Sequence, residues 1–193
     1  MVDINTPRFQ RLIQRIDQLN AADPNQDQGQ PRELAYAKRL SAWVDRLAPD
    51  ASESLRIAAR GQHVQRWTIP RERYPRNRQG YLRWRETLKT FHADTITRLM
   101  QEEGYSDELR ERVRRIILKK QLGSDPDTQT LEDALCLIFL ETQLADLMTK
   151  EPPEKMREIL RKTWTKMSDH ARSLAQQLPL TLSERALLQE ALA

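Results

Sequence analysis

The chain is short of the residues that punctuate and cross-link other folds. Its 193 residues include one cysteine and five glycines. A single cysteine excludes any disulfide within the chain, and Cys136, set in Leu-Cys-Leu-Ile-Phe, reads as a small core residue. No apolar run approaches the roughly 20 residues needed to span a bilayer. The opening Met-Val-Asp-Ile-Asn lacks the features of a signal peptide, so the expectation is a cytoplasmic protein with no membrane partner. Valine, isoleucine, threonine and aromatics never alternate with polar residues over a strand length, which argues against a sheet.

What is present favours helix. Leu, Ala, Arg, Glu and Gln abound, and charged residues make up 31% of the chain. The expectation is one all-α compact domain, residues 1–193, of seven to eight helices, with residues 1–30 forming an N-terminal helix and a polar loop packed on the rest. Thr6 caps a first helix over Pro7 to Asn20, whose stripe is Phe9, Leu12, Ile13, Ile16 and Leu19. Further helices are expected over Glu33–Leu47, Ser52–Gln65, Tyr81–Glu103, Asp107–Lys120, Thr128–Met148 and Pro153–Gln177. The helix through Ala134–Leu140 is apolar nearly all round and should be central. A last short helix starts at the capping box Thr-Leu-Ser-Glu near Thr181. Trp67–Gly80, with two prolines and no period, reads as an ordered loop.

The total charge of +4 says little, but its distribution says more. From Arg56 to His92 there are nine arginines and one lysine against Glu72 and Glu86, about +8 within 37 residues. Guanidinium groups pair bidentately with phosphate or carboxylate and stack on aromatic rings. Trp67, Tyr74, Tyr81 and Trp84 interleave with them, a pattern suited to a nucleotide or single-stranded nucleic acid. The candidate ligand contacts are Arg60, Gln62, Arg66, Trp67, Arg71, Arg73, Tyr81, Trp84 and Arg85. The plainer alternative is a solvated arginine coat, which fits Arg76, Arg78 and Arg83 best.

Ionisable residues also fall on apolar helix faces. His63 follows Ile57, Ala58 and Ala59, and His92 shares a face with Leu88, Thr95 and Leu99. Glu132 and Asp133 open an apolar stretch, and Lys120 follows Ile116 and Ile117. His63, His92, Asp133 and Lys120 are therefore candidate catalytic residues. If they converge, they suit a divalent metal or a phosphate. Otherwise each histidine satisfies a core hydrogen bond and the two acids oppose a helix dipole. His170 lies in a polar stretch and reads as surface.

GQHVQRWTIPRERYP, GYLRWRETLKTFHA, LEDALCLIFLE and LRKTWTKMSDHA, with the early Asp-Pro-Asn, resemble the domain-of-unknown-function family 4202 over nearly the whole chain. That resemblance implies no activity. The order of elements is also distantly similar to the HD superfamily of metal-dependent phosphohydrolases. In that resemblance His63 matches the histidine of the His-Asp pair, His92 an added histidine and Asp133 the closing aspartate, with Lys119 or Lys120 near the next added histidine. Val64 and Tyr36 stand where two further ligands belong. The resemblance thus implies at most one divalent metal ion, on His63, His92 and Asp133 with Glu132 or Glu33, or a metal-free site charged by lysine and arginine. The expected function is binding of a phosphate-bearing small molecule, a nucleotide above all, with phosphoester hydrolysis if the protein is an enzyme. The competing readings are a non-catalytic RNA- or polyanion-binding module and a structural protein whose aromatics meet a partner.

Overall fold

The computed structural model describes residues 6–193. Met1–Asn5, read above as no signal peptide, lie outside them. Among the described residues, no helix is long and apolar enough to cross a membrane.

The fold is all-α. Helix α1 (Pro7–Ala21) starts where Thr6 Oγ1 accepts from Phe9 N, and it buries Leu12 and Ile16 completely. A two-residue antiparallel ladder, Gln26–Asp27 with Gln30–Pro31, follows. The turn between its strands has positive φ at Gln28 and Gly29, the geometry that joins two short strands tightly. This ribbon is the only strand pairing among the described residues, and it is too short to show as an alternating pattern.

Helices α2 (Arg32–Leu47) and α3 (Glu53–Gly61) come next. Asp23 is buried, and its carboxylate accepts from Glu33 N, fixing the start of α2. Helix α4 (Arg78–Glu102) starts three residues earlier than the expected Tyr81 because Asn77 caps it, accepting from Gly80 N at 2.8 Å. Gly80 is required there. A Cβ at that position would lie 2.1 Å from Pro75 O, so only glycine lets the preceding loop fold back over the helix start. Gly61 plays a similar role at the end of α3, where a Cβ would meet the fully buried Ile96 of α4 at 2.4 Å.

Helix α5 (Asp107–Ile117) stops three residues before the expected end at Lys120. Helix α6 (Pro126–Ile138) carries Leu131, Ala134, Leu137 and Ile138, all fully buried. It packs against α2, α3, α5, α8 and α9, which makes it the centre of the domain. The expected helix over Thr128–Met148 is interrupted by a π turn, Phe139–Gln143, before α7 (Leu144–Lys150). The expected helix from Pro153 to Gln177 is two: α8 (Pro153–Lys166) and α9 (Asp169–Gln176). Ser168 breaks it with an extended backbone and caps α9. Helix α10 (Leu182–Leu192) begins at Thr181 with the capping box formed in both directions and packs on α8.

Candidate functional site

A cavity of about 960 Å³ opens between the first half of α4, the turns after α3 and the α6–α8 side of the molecule. Ten lysines and arginines line it against two carboxylates, Glu132 and Glu151. Such an imbalance in one concavity raises the local potential for anions. The Arg56–His92 block supplies one wall. The opposite wall is a lysine stripe on α8, Lys155, Lys162 and Lys166, which share a face with Ile159 and Thr163. Reading concentrated on the arginine block missed this wall, although the seven- and four-residue spacings that place the lysines on one helical face were visible.

Within the arginine wall the aromatics act as racks for guanidinium groups. Trp84 Nε1 donates to Ile69 O at 2.9 Å, which locks the indole. Arg66 then lies 4.7 Å and Arg71 6.0 Å from its ring centroid. Trp84 is engaged by two cations rather than left as an open platform for a base. Arg71 also donates to Tyr74 O and Pro75 O, both at 2.8 Å, and so closes the proline loop. Arg85 donates to the Tyr81 hydroxyl at 3.1 Å. Arg66, Arg71, Tyr81, Trp84 and Arg85 all line the cavity, together with Gln62, His63 and His92.

Three expected ligand contacts are elsewhere. Arg60 grips Asp17 of α1 with two hydrogen bonds, at 2.7 and 3.0 Å, and donates to Ser41. It is a strut between helices. Arg73 points back to Thr68 O at 3.4 Å, and Trp67 is half-buried; neither lines the cavity. Both lie in short 3-10 turns, whose phase differs from that of the neighbouring helices.

The floor is rich in hydrogen-bond acceptors. Asn20, fully buried in α1, accepts from Gln65 N and holds the turn that presents Gln62, His63 and Arg66. Tyr36 of α2 stacks on His63, with ring centroids 4.3 Å apart and planes 14° off parallel. Glu33 Oε2 stands 3.5 Å from His63 Nδ1. His92 lies with its ring centroid 5.9 Å from that of His63. Its Nδ1 is 2.9 Å from Val64 O. A carbonyl oxygen only accepts, so Nδ1 carries the proton and Nε2 bears a lone pair. Burial, then the charge of Arg66, holds His63 well below the ordinary histidine value, and burial, then His63 and Arg66, does the same for His92. Both rings are therefore neutral near pH 7. Burial likewise pushes Glu33 up to about 7. His92 Nε2, Gln62 Oε1 and Glu33 Oε2 are buried and have no hydrogen-bond partner among the described residues.

Two expectations for the remaining candidates need correction. Lys120 is exposed. Helix α5 ends at Ile117 and Lys119 takes a left-handed φ of 56°, so the phase breaks and Lys119 is the lysine turned inward. It pairs with Glu132, which also meets Lys166 at 3.4 Å. Asp133 does not converge with the histidines. It is buried on the other side of α6, where it accepts from Ser168 N at 2.8 Å, Ser168 Oγ at 2.6 Å and Gln129 Nε2 at 2.9 Å. Adjacent residues on a helix point about 100° apart, so Glu132 faces the cavity and Asp133 faces α9. The His63–His92–Asp133 ligand set is thus not formed, and no group of three or more His, Cys, Asp or Glu side chains is placed to hold a metal ion among the described residues. His170 is exposed.

These features define an all-helical domain with one strongly cationic cavity over a floor rich in hydrogen-bond acceptors. The chain matches the family model described as Domain of unknown function (DUF4202) over residues 10–188, and it belongs to that family. Comparison with curated proteins and with solved structures found no match.

Proposed function

We propose that the cavity binds a phosphate-bearing small molecule, with a nucleotide as the ligand. The observation that carries this reading is the excess of cations around a single concavity. It is supplied by two walls far apart in sequence, which a solvated coat on one segment would not require. Arg76 and Arg78 at the mouth make no ion pair with a described carboxylate, so their charge is available to a ligand. The volume suits a molecule of nucleotide size.

Metal-assisted phosphoester hydrolysis has less support. Asp133, the third ligand implied by the HD resemblance, serves α9 instead. The residues present do not make the expected three-ligand site. The RNA reading also loses ground, because much of the arginine block is committed within the protein: Arg56 to Asp45, Arg60 to Asp17 and Arg71 to two carbonyls.

Calorimetry and thermal unfolding against nucleoside mono-, di- and triphosphates, inorganic tripolyphosphate and a short RNA, at low and moderate salt, test the proposal. A ligand at about 100-fold its Kd adds about 3 kcal/mol of stability. Binding of phosphate compounds that weakens with salt is the expected result. No response to any of them would overturn it, RNA binding alone would favour the polyanion module, and phosphate release on addition of Mn²⁺, Ni²⁺ or Co²⁺ would restore the hydrolase.

A further inference from the structure

The cavity is polarised. Its mouth carries exposed cations, among them Arg76, Arg78 and Lys162, whereas Gln62 and His92 on its floor are 4% and 1% exposed. The floor atoms are of the wrong kind for phosphate. Phosphate oxygens accept hydrogen bonds, and they would face the lone pairs of His92 Nε2 and Gln62 Oε1, with the Glu33 carboxyl behind His63. A buried acceptor without a partner forfeits the hydrogen bond it would make to water. Two such atoms, on two residues that line one cavity, point to a donor-bearing group as their partner. Among the described residues the Gln62 carboxamide oxygen has no hydrogen-bond partner, and the group carries both an acceptor and a donor. That pairing matches the edge of a nucleobase, which carries N–H groups beside a ring nitrogen or carbonyl. Leu88, Leu135 and Phe139 line the same cavity and supply apolar surface for a flat ring.

We infer that the nucleotide binds base-first: Gln62 and His92 read the base edge on the floor, and the phosphates lie at the mouth among Arg76, Arg78 and Lys162. Gln62 and His92 are then specificity residues. This inference rests on the phosphate reading above and adds its orientation. It also removes the imidazoles from the phosphate, which agrees with the lack of a three-ligand metal set beside them. Arg66 is the cation nearest the floor, but it is held over Trp84 and balanced in part by Glu33. A phosphate drawn to Arg66 would sit beside two neutral imidazoles and raise their affinity for protons.

The test measures Kd by calorimetry for the four ribonucleoside triphosphates and inorganic tripolyphosphate, on the full chain, in two buffers of different ionisation enthalpy. At least one nucleoside triphosphate should bind about tenfold or more tighter than tripolyphosphate. Gln62→Leu and His92→Phe should each abolish that excess and leave tripolyphosphate binding within about twofold. Gln62→Met, which keeps the length and removes both polar groups without adding charge, should do the same and guards against a misfolded His92 variant. Arg76→Ala with Arg78→Ala should weaken every ligand by a similar factor. Tripolyphosphate binding as tight as that of all four nucleotides, or coupled to proton uptake, would overturn the orientation while leaving the phosphate reading in place. If no phosphate compound binds, both fail together, whereas base-dependent binding of unphosphorylated nucleosides alone would retain the floor and sink the phosphate reading.

Discussion

Glu33 Oε2 and His63 Nδ1 stand 3.5 Å apart, the imidazole lining the cavity and the carboxyl behind it, with the carboxyl held up near 7 and the imidazole held well below its ordinary value. Both shifts have the same first cause, burial, and both favour neutral groups. The two imidazoles are thus uncharged and Glu33 only partly ionised near pH 7, beneath a cationic mouth, a separation that orients a ligand having one charged and one neutral end.

The pH dependence of stability follows from these directions. The unfolded chain takes up protons on His63 and His92 near pH 6.5, whereas the folded chain takes them up only at lower pH, so each histidine costs stability as pH falls below about 6.5. Glu33 acts oppositely. Between about 4.5 and 7 the folded chain retains a proton that the unfolded chain has lost, so stability gains as pH falls through 7. Two histidines against one carboxyl leave a net loss between pH 6.5 and 5.5, at most about 1.4 kcal/mol per pH unit. Glu33→Gln removes the opposing group and should about double that slope. Asp125 and Glu132 are held below their ordinary values and contribute only at lower pH. Urea unfolding at pH 7.5, 6.5 and 5.5 measures both slopes, and a shallower slope in the variant would contradict the assignment.

Asp133 predicts a structural cost without a functional one. Asp133→Ala removes the partner of the half-buried N–H and hydroxyl of Ser168 at the start of α9. The expected loss is about 1–3 kcal/mol. Affinity for phosphate compounds should stay within about twofold once the folded fraction is accounted for. A selective loss of binding at unchanged stability would return Asp133 to the site.

Lys119 and Glu132 form the buried ion pair of the cavity wall, with side chains 16% and 5% exposed. Removing one partner leaves the other charge buried, at a cost of about 3–5 kcal/mol. Lys166 offsets part of this for Glu132, so Lys119→Met should fall at the low end of that range. The double variant Lys119→Met with Glu132→Gln should recover much of the loss. Chemical denaturation of the four proteins of this cycle gives the coupling energy directly, and simple additivity would show that the pair is not coupled.

Trp84 separates positioning from contact. Trp84→Ala should weaken nucleotide binding about tenfold, because Arg66 and Arg71 lose the ring that holds them. Trp84→Phe keeps an aromatic face but loses the bond to Ile69 O, and should show an intermediate effect. Removal of a stacking platform would instead affect nucleoside triphosphates and spare tripolyphosphate. Equal weakening of both ligands is the result expected of a rack.

Helix content, the caps at Thr6 and Thr181, the central position of α6 and the cationic bias of Arg56–His92 were all decided by the sequence itself. Each depends on residues within about one or two turns of each other, where side-chain period, capping hydroxyls and charge runs act directly. Tertiary packing decided the rest. Asp133 and Ser168 meet across 35 positions and set the break between α8 and α9. A left-handed Lys119 exchanged one lysine for its neighbour at the cavity. The lysines of α8 came to face the arginines of α4 only because both helices border the same cavity beside α6. The direction of a side chain within its own helix is a local property, but which chemistry it meets is fixed by elements far away in the chain.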